Sequence, residues 1–444
     1  MIYCPPHLTE LAKKINRPIY VVGGFIRNQF CNLPLKVDID IAGDFDGEIL
    51  KSAGAKVKVV NKKLGTMWIG YKNEEYEYTR FRKEEYALDG AHSPINIEFI
   101  LDIDEDAKRR DFTANSIYYD VLNKKIIDPL NGVNDAKKKI LRCFDPEFVF
   151  KSDGLRLLRL VRFSAELGFE IDTNTSLTAI KFKNHLENIS PERKRDELDK
   201  ILHADKKYEV DDGHYKGLKL LWKLGLWEFI LPSMLKMEIE QNPKWHKYNV
   251  LEHTFMAVKF SNGNIKNLRL AALMHDTGKP VSLIQFGNMH KHAEISSKIA
   301  MQELGQAGLK YPNSVINEVS KLCAIHMYDL AADTSGAKMK LFCAQNFEIL
   351  EKLEALKYAD ALATGKDREK FFPPRFLYFK DKLIKEKAPI DIRDLKINGN
   401  DAIKAGFEKS EIKNILNELW KECIINPVLN NREWLLKQLE KRKL

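Results

Sequence analysis

Two aspartates, Asp38 and Asp40, sit in the run Lys36-Val37-Asp38-Ile39-Asp40-Ile41-Ala42, which is rich in β-branched residues. In a strand, period-two alternation places both carboxylates on one face and Val37, Ile39 and Ile41 on the other. Adjacent anions repel, so such a pair calls for divalent metal between it and a triphosphate. Two Mg²⁺ ions held there would activate a 3′-hydroxyl and stabilise a leaving pyrophosphate. The bland alternative is an edge strand with a solvated acidic face. It weakens because Gly23-Gly24-Phe25-Ile26-Arg27 precedes the pair, after the β-rich IYVV. Glycines at such a turn let backbone N–H groups approach a phosphate, and a following helix adds positive potential. Arg27 would give the same anion a bidentate cation.

Three further constellations stand out. Lys108-Arg109-Arg110-Asp111-Phe112-Thr113-Ala114-Asn115, read as opening a helix, fits either a structural ion-pair knot or a triphosphate clamp around Arg110. In Ser152-Asp153-Gly154-Leu155-Arg156, continued by LLRLVRF, Asp153, Arg156, Arg159 and Arg162 recur at every third position, so each lies near the next on a helix. Arginines among that much Leu, Val and Phe need anionic or hydrogen-bonding partners, whether buried salt bridges or a nucleotide. Cytosine and adenine each present an amino donor beside a ring-nitrogen acceptor, which an Asp acceptor next to an Arg donor matches; guanine and uracil present oxygen instead. The third constellation is His253, His275-Asp276, His292, His326 and Asp360, spread over apolar helical segments. Such imidazoles and carboxylates can converge on a divalent metal. His290 competes with His292 for a place in the set.

These residues need elements to hold them. The chain has 444 residues, enough for about three domains, and its 44% hydrophobic and 30% charged content is that of a folded protein. PIYVVGG, VDIDIAG, AKVKVV, TMWIGY, EYEYTRF, INIEFIL and KKIIDP read as strands between Gly, Asn and Asp, with helical patterns at Phe25–Asn32 and Arg110–Tyr119. From about Asp135 onward apolar residues recur at helical spacing and strands stop. The fold class expected is α+β: a small mixed-sheet head on an all-helical body. The boundaries expected are 1–135, 136–240, 241–375 and 376–444. Cys4, Cys31, Cys143, Cys323, Cys343 and Cys423 form no CxxC pair, which argues for free thiols in a reducing compartment. No signal-like or membrane-length apolar run is present, so a cytoplasmic protein with no membrane partner is expected. The formal charge of +9, from 72 Lys+Arg against 63 Asp+Glu, favours a polyanionic partner.

GGFIRN, DID, RRDFTAN, DPLNGVND and SDGLRLLRLVRF stand in the order and rough spacing of the class II tRNA nucleotidyltransferase / poly(A) polymerase family, and the chain resembles it over roughly residues 18–235. The resemblance implies template-independent addition of nucleotides to RNA 3′ ends, with CTP, ATP and the tRNA 3′ end as partners and Mg²⁺ as cofactor. It implies that Gly24 and Arg27 contact the incoming nucleotide and Asp38 and Asp40 hold metals. Arg110 would reach triphosphate or ribose, Asp153 and Arg156 would read the base, and Arg159 and Arg162 would support them or hold phosphates. Three positions depart from the family: Asn28 replaces an Asp, Ser152 an acidic residue, and Ala91 a basic residue in EEYALDGAHSP. Losing that loop is associated with stopping early, so its presence speaks against CC-only addition. Glu192, Arg193 and Glu197 in SPERKRDEL resemble a motif that buttresses the neck.

The histidine block resembles an HD domain, a metal-dependent phosphohydrolase fold. That likeness implies His253, His275, Asp276 and Asp360 as core ligands of Mn, Ni, Co or Mg, with His292 and His326 as additional ligands or phosphate contacts. The expectation is therefore CCA addition and repair, with a phosphohydrolase at the HD site. The alternatives are partial CC- or A-addition, poly(A) synthesis, or an HD phosphohydrolase with a polymerase head that only binds RNA. The C-terminal DLKINGNDAIKAGFEKSEIKNILNELWKE resembles the family's tRNA-binding tail, with Phe407-Glu408-Lys409-Ser410 in place of its Gly-rich turn. The oligomeric state is left open.

Overall fold

The computed structural model describes residues 2–35, 38–87, 89–90, 94–366 and 375–443, which fall into two compact units. Unit 1 comprises Met1–Leu235 with Gln306–Tyr311, and unit 2 comprises Lys236–Gly305 with Pro312–Leu444.

Unit 1 opens with a seven-stranded sheet. Its strands are β1 (Tyr20–Val22), β2 (Asp40–Gly43), β3 (Lys56–Asn61), β4 (Thr66–Tyr71) and β5 (Glu74–Arg80), joined by β8 (Tyr118–Asp120) and β9 (Lys125–Ile127). The order is β3-β4-β5-β2-β1-β8-β9, with β2 parallel to β5 and every other pairing antiparallel. β6 (Arg82–Glu85) and β7 (Asn96–Phe99) form a separate antiparallel pair. Val22, Ala42, Phe81, Ala107 and Tyr118 make a buried cluster against this sheet. The mixed sheet and helical body agree with the α+β expectation.

Three local expectations change. Asp38 and Ile39 precede β2, so only Asp40 of the two aspartates lies in the strand. β1 ends at Val22, opposite Asp40, and Gly23 then turns the chain with φ 80°, leaving nothing on that side for Asp38 to pair with. Lys36 and Val37, whose alternation with the aspartates was expected, lie outside the described residues, as do Leu88 and Ala91 of the Glu84–Pro94 loop. Arg110–Tyr119 is not a helix: a single 3-10 turn at Thr113–Asn115 leads into β8. Its Tyr118-Tyr119-Asp120 pairs with β1 on one side and β9 on the other, and this tertiary pairing overrides the helical spacing. Finally, the body holds one short parallel pair, Ile140–Leu141 with Glu170–Ile171.

Helices follow. Ser152 ends one helix, Asp153 and Gly154 form the joint, and Leu155–Leu167 carries the arginine row. Pro191–Leu202 starts at the cap Ser190, whose side chain accepts the Arg193 amide. In unit 2 the helices Val250–Phe260, Leu268–Met274, Lys279–Phe286, His292–Glu303, Asn313–Ile325 and Leu350–Ala363 surround the histidines. The tail helices are Phe376–Lys385, Gly399–Lys404, Lys409–Ile425 and Arg432–Lys443. Glu408 and Glu411 form a capping box at the start of Lys409–Ile425, so the sequence replacing the Gly-rich turn is itself a helix N-terminus. Among the described residues, no helix is long and apolar enough to cross a membrane, and all six cysteines are free.

Candidate active sites

The first candidate site lies where β1, β2 and the Gly24–Cys31 helix meet. β2 is flanked by β1 and β5, so Asp40 is not on a sheet edge. A Cβ at Gly23 would lie 3.0 Å from Asp40 Oδ2, so glycine serves here both for its positive φ and for this close approach. Gly24 begins the helix and is half-buried; Asp38 is exposed and Asp40 half-buried. Burial and the Glu77 carboxylate paired across the sheet push Asp40 up to about 6, with Asp38 adding to the rise and Arg110 and Arg159 opposing it. Crowded carboxylates of this kind are stabilised by a cation, which fits a divalent metal. Glu77 is the member that residue spacing did not single out, although EYEYTRF places it at an alternating strand position.

Arg27 points inward. It is 1% exposed, and its guanidinium donates to Asn28 Oδ1, Asn115 Oδ1 and the Tyr208 hydroxyl. Asn28, in place of the family's Asp, accepts two of these bonds while its own amide donates to the Pro34 carbonyl at 2.7 Å. The turn is thus held by a neutral amide, and contact between Arg27 and a phosphate would require these bonds to be exchanged. Arg110 is half-buried and donates to Asp106 and to the Tyr118 hydroxyl, the latter at 2.8 Å. Against the cost of burial, Arg109 and Arg110 hold Asp106 down at about 2.

The arginine row divides by partner. Arg156 donates to Ser152 Oγ at 3.0 Å and to the Arg109 carbonyl at 2.9 Å. Arg159 meets Asp111 Oδ2 at 2.5 Å, and against the cost of burial Arg159 holds that carboxyl down at about 2. Arg162, buried, meets Glu197 at 2.9 Å and Glu166 at 3.8 Å. Asp153 Oδ1 accepts the Leu155 amide at 3.0 Å, and its Oδ2 lies 3.5 Å from Arg193. Ser152 therefore works as an acceptor for Arg156 where the family has an acid. Glu192, by contrast, pairs with Lys310. The loop following β6 meets this joint: Gly90 donates to the Lys151 carbonyl, Gly154 donates to the Gly90 carbonyl, and Asn188 donates to the Asp89 carbonyl.

The second candidate site is in unit 2. His253 and Asp360 come from the Val250–Phe260 and Leu350–Ala363 helices, His275 and Asp276 follow Leu268–Met274, His292 opens its helix, and His326 follows Asn313–Ile325. His253 Nε2 lies 2.9 Å from Asp360 Oδ1 and 3.4 Å from Asp276 Oδ2; His275 Nε2 lies 3.2 Å from Asp276 Oδ2 and 3.7 Å from Asp360 Oδ1. On the other side, Asp276 Oδ1 lies 3.2 Å from His292 Nε2 and 3.9 Å from His326 Nε2. All six expected residues converge. His290 is exposed and has no part in these contacts.

The last turn of a helix leaves backbone carbonyls unsatisfied, and the site uses two of these, at Ala272 and Cys323, with a loop carbonyl at Met289. His275 Nδ1 donates to the Ala272 carbonyl and His326 Nδ1 to the Cys323 carbonyl, each at 2.7 Å, while His292 Nδ1 donates to the Met289 carbonyl at 2.6 Å. A carbonyl only accepts, so each Nδ1 carries a proton, and in the neutral ring Nε2 is the atom left to bind a metal. His275 Nε2 and Asp276 Oδ2 are buried and lack a hydrogen bond of acceptable geometry. This donor set fits a divalent metal. Lys279 was not singled out from spacing; its Nζ sits 2.7 Å from Asp276 Oδ2 and 2.9 Å from the Gln241 side chain. The signal was its place three residues after Asp276. His246, also not singled out, packs its ring 4.9 Å from that of His253.

Comparisons with known proteins match the regions that carry the two sites. Residues 19–142 match the poly A polymerase head domain, 168–237 the probable RNA and SrmB-binding site of polymerase A, and 246–365 the HD domain. A CCA-adding enzyme of Bacillus pumilus is 34% identical over 52% of this chain, and the alignment spans 56% of that relative. One from Ligilactobacillus salivarius is 28% identical over 98% of this chain and 95% of its own length. Among solved structures, the Bacillus stearothermophilus CCA-adding enzyme in complex with CTP has TM-score 0.69 at 22% identity, covering 99% of this chain and 98% of that one. The Thermotoga maritima CCA-adding enzyme complexed with tRNA has TM-score 0.52 at 19% identity, covering 98% and 94%. At these identities the structural likeness concerns the fold.

Proposed function

We propose that the chain is a member of the class II tRNA nucleotidyltransferase / poly(A) polymerase family carrying an HD domain, and that it builds and repairs the CCA end of tRNA from CTP and ATP. The observation that carries this reading is the Asp38–Asp40 pair beside the Gly23 turn, with Asp40 Oδ2 against the glycine backbone. Asp38 and Asp40 would hold Mg²⁺, which supplies Lewis-acid stabilisation of phosphoryl charge. Gly24 offers a helix N-terminus to the triphosphate. Arg110 supplies positive charge near Asp40, and Asp153 and Arg156 present the acceptor and donor that suit cytosine and adenine. Residues 1–135 serve as catalytic head, 136–240 as neck, 241–375 as HD domain and 376–444 as tRNA-binding tail.

The HD centre is read as a second, metal-dependent phosphohydrolase site acting on a phosphomonoester or diester such as a 2′,3′-cyclic phosphate. Its support is the placing of His275, His292 and His326 Nε2 around Asp276, with each Nδ1 held by a backbone carbonyl.

The test of the first activity uses Mg²⁺, each NTP singly, and tRNAs ending before CCA, after CC and after CCA. CTP should extend the first and ATP the second, with the third inert. Repeated ATP addition to the third would mark a poly(A) polymerase, and arrest after CC a partial enzyme. Asp40→Asn should abolish incorporation while tRNA binding persists, because affinity comes mainly from Lys and Arg on phosphates. Incorporation by that variant near the wild-type rate would overturn the assignment.

A further inference from the structure

One row of paired residues in the head sheet runs from Asp40 out to the sheet edge. Asp40 pairs with Glu77, Glu77 with Trp68, and Trp68 with Lys58, so β2, β5, β4 and β3 each set one residue side by side on the same face. Their chain neighbours Ile41, Tyr76, Tyr78, Met67 and Ile69 are buried on the other face. Adjacent strands lie about 4.8 Å apart, which puts Trp68 about 10 Å from Asp40 and Lys58 about 14 Å from it. Trp68 is 44% exposed, an uncommon place for so large a ring. Two residues along β4 on that face, Gly70 presents no side chain. A Cβ there would meet only Lys56, 3.6 Å away, so bare sheet flanks the indole.

Charge singles out what would cover this surface. From Ala53 to Asn73 the chain carries five lysines and no Asp or Glu, and Lys56, Lys58 and Lys62 are exposed. The acids of the same face, Glu75 and Glu77, belong to β5, on the side toward Asp40. Lysines on the edge strand β3 would by themselves protect an open sheet edge, but that role calls for no exposed indole on β4. An apolar protein partner would suit Trp68 and not the lysines around it. An aromatic ring beside basic side chains on an open sheet suits single-stranded nucleic acid, with a base on the ring and phosphates on the ammonium groups. Resting on the reading of Asp38 and Asp40 as the nucleotide-adding centre, the geometry points to this face as the seat of the unpaired RNA 3′ end. Its 3′-hydroxyl lies at Asp40, the base of an upstream nucleotide stacks on Trp68, and Lys56 and Lys58 take the adjoining phosphates.

The test measures binding of tRNA ending after CC, without NTP, to the full chain and to its Trp68→Leu variant. The same tRNA is also made with an abasic nucleotide at each unpaired 3′ position in turn. Base–aromatic stacking carries roughly five- to 150-fold in affinity. Trp68→Leu should weaken binding of the intact tRNA within that range, and one abasic position upstream of the terminus should weaken wild-type binding equally. Combined, the two changes should cost no more than either alone, because they remove the same contact. Trp68→Phe should keep most of the affinity, and Lys58→Ala should lower its salt dependence. Binding by Trp68→Leu within about twofold of wild type, or losses that multiply, overturns the proposal. So does a wild-type protein that no abasic position weakens, an outcome independent of how the variants fold. A wild-type protein that fails to add A to this tRNA overturns the nucleotide-adding reading instead, and the binding cycle still decides whether Trp68 holds the RNA end.

Discussion

Asp153 does two jobs through its two oxygens. Oδ1 caps the Leu155 amide at 3.0 Å, and Oδ2 lies 3.5 Å from Arg193. Asp153→Ala would remove the cap as well as the acceptor, confounding a loss of about 1 kcal/mol of helix stability with any change in base reading. Asp153→Asn separates them, since the amide oxygen can still cap while the NH2 group presents a donor where the carboxylate accepted. A mismatch of this kind costs about 1–3 kcal/mol, so the preference for CTP and ATP over UTP and GTP should fall roughly ten- to hundredfold with Tm nearly unchanged. Competitive incorporation from all four NTPs beside thermal melts checks this; an unchanged preference in a folded Asn variant removes the base-reading role. At this scale residue type and spacing pointed to Asp38, Asp40 and the adjacent His275-Asp276, each in a short motif whose chemistry is local, while the likeness to an HD domain supplied the roles of His253, His292, His326 and Asp360. They could not show where Arg27 points. Its partners Asn115 and Tyr208 lie 88 and 181 residues away, and only folding brings them to it.

The helix Leu155–Leu167 shows how one periodic row can hold residues of different function. Arg156 is half-buried and bonded to neutral partners, Ser152 Oγ and the Arg109 carbonyl, so it can exchange them for a base at little cost. Arg162 is buried and bound to Glu197 of the Pro191–Leu202 helix, with Glu166 also near. Removing one member of a buried pair leaves an uncompensated charge and costs about 3–5 kcal/mol. Arg162→Ala should therefore lower Tm sharply while residual activity keeps its CTP and ATP preference. Arg156→Ala should do the reverse: Tm close to wild type, with kcat/KM for both nucleotides reduced. Should Arg162→Ala melt normally and lose selectivity, its place is against the nucleotide and not between helices. Spacing alone put all four residues on one helical row, and the choice between salt bridge and nucleotide rested on partners invisible in the sequence. Strand prediction worked where Val, Ile and aromatic residues alternate, as in TMWIGY for β4. It missed β6, whose RKEE has no such side chains and is held instead by pairing with β7 and the buried Arg82–Glu84 ion pair.

For the whole molecule, the two sets of chemistry-bearing residues belong to different compact units. Asp38, Asp40 and the arginine row lie in unit 1; His253 through Asp360 lie in unit 2. The division of α/β head from helical body was readable because strand-like alternation ends near Asp135. The segment Gln306–Tyr311 was not, since nothing in its composition shows that Tyr311 donates to Asp199 and that the Lys310 carbonyl accepts from Arg195, which places it with unit 1. Sites in separate units with no shared partners contribute independently, typically within 0.3–0.5 kcal/mol, which is a factor of about two in rate. His275→Ala removes an imidazole whose Nε2 lies 3.2 Å from Asp276 and 3.7 Å from Asp360, so bound Mn²⁺ and turnover of a nucleoside 2′,3′-cyclic phosphate should both be lost. Nucleotide addition to tRNA lacking CCA should stay within about twofold of wild type at saturating Mg²⁺. Measuring all three on one preparation, with a melt to establish folding, makes the outcome decisive. A folded His275→Ala protein that loses nucleotide addition together with the phosphohydrolase would mean that the two units share one function instead of holding two.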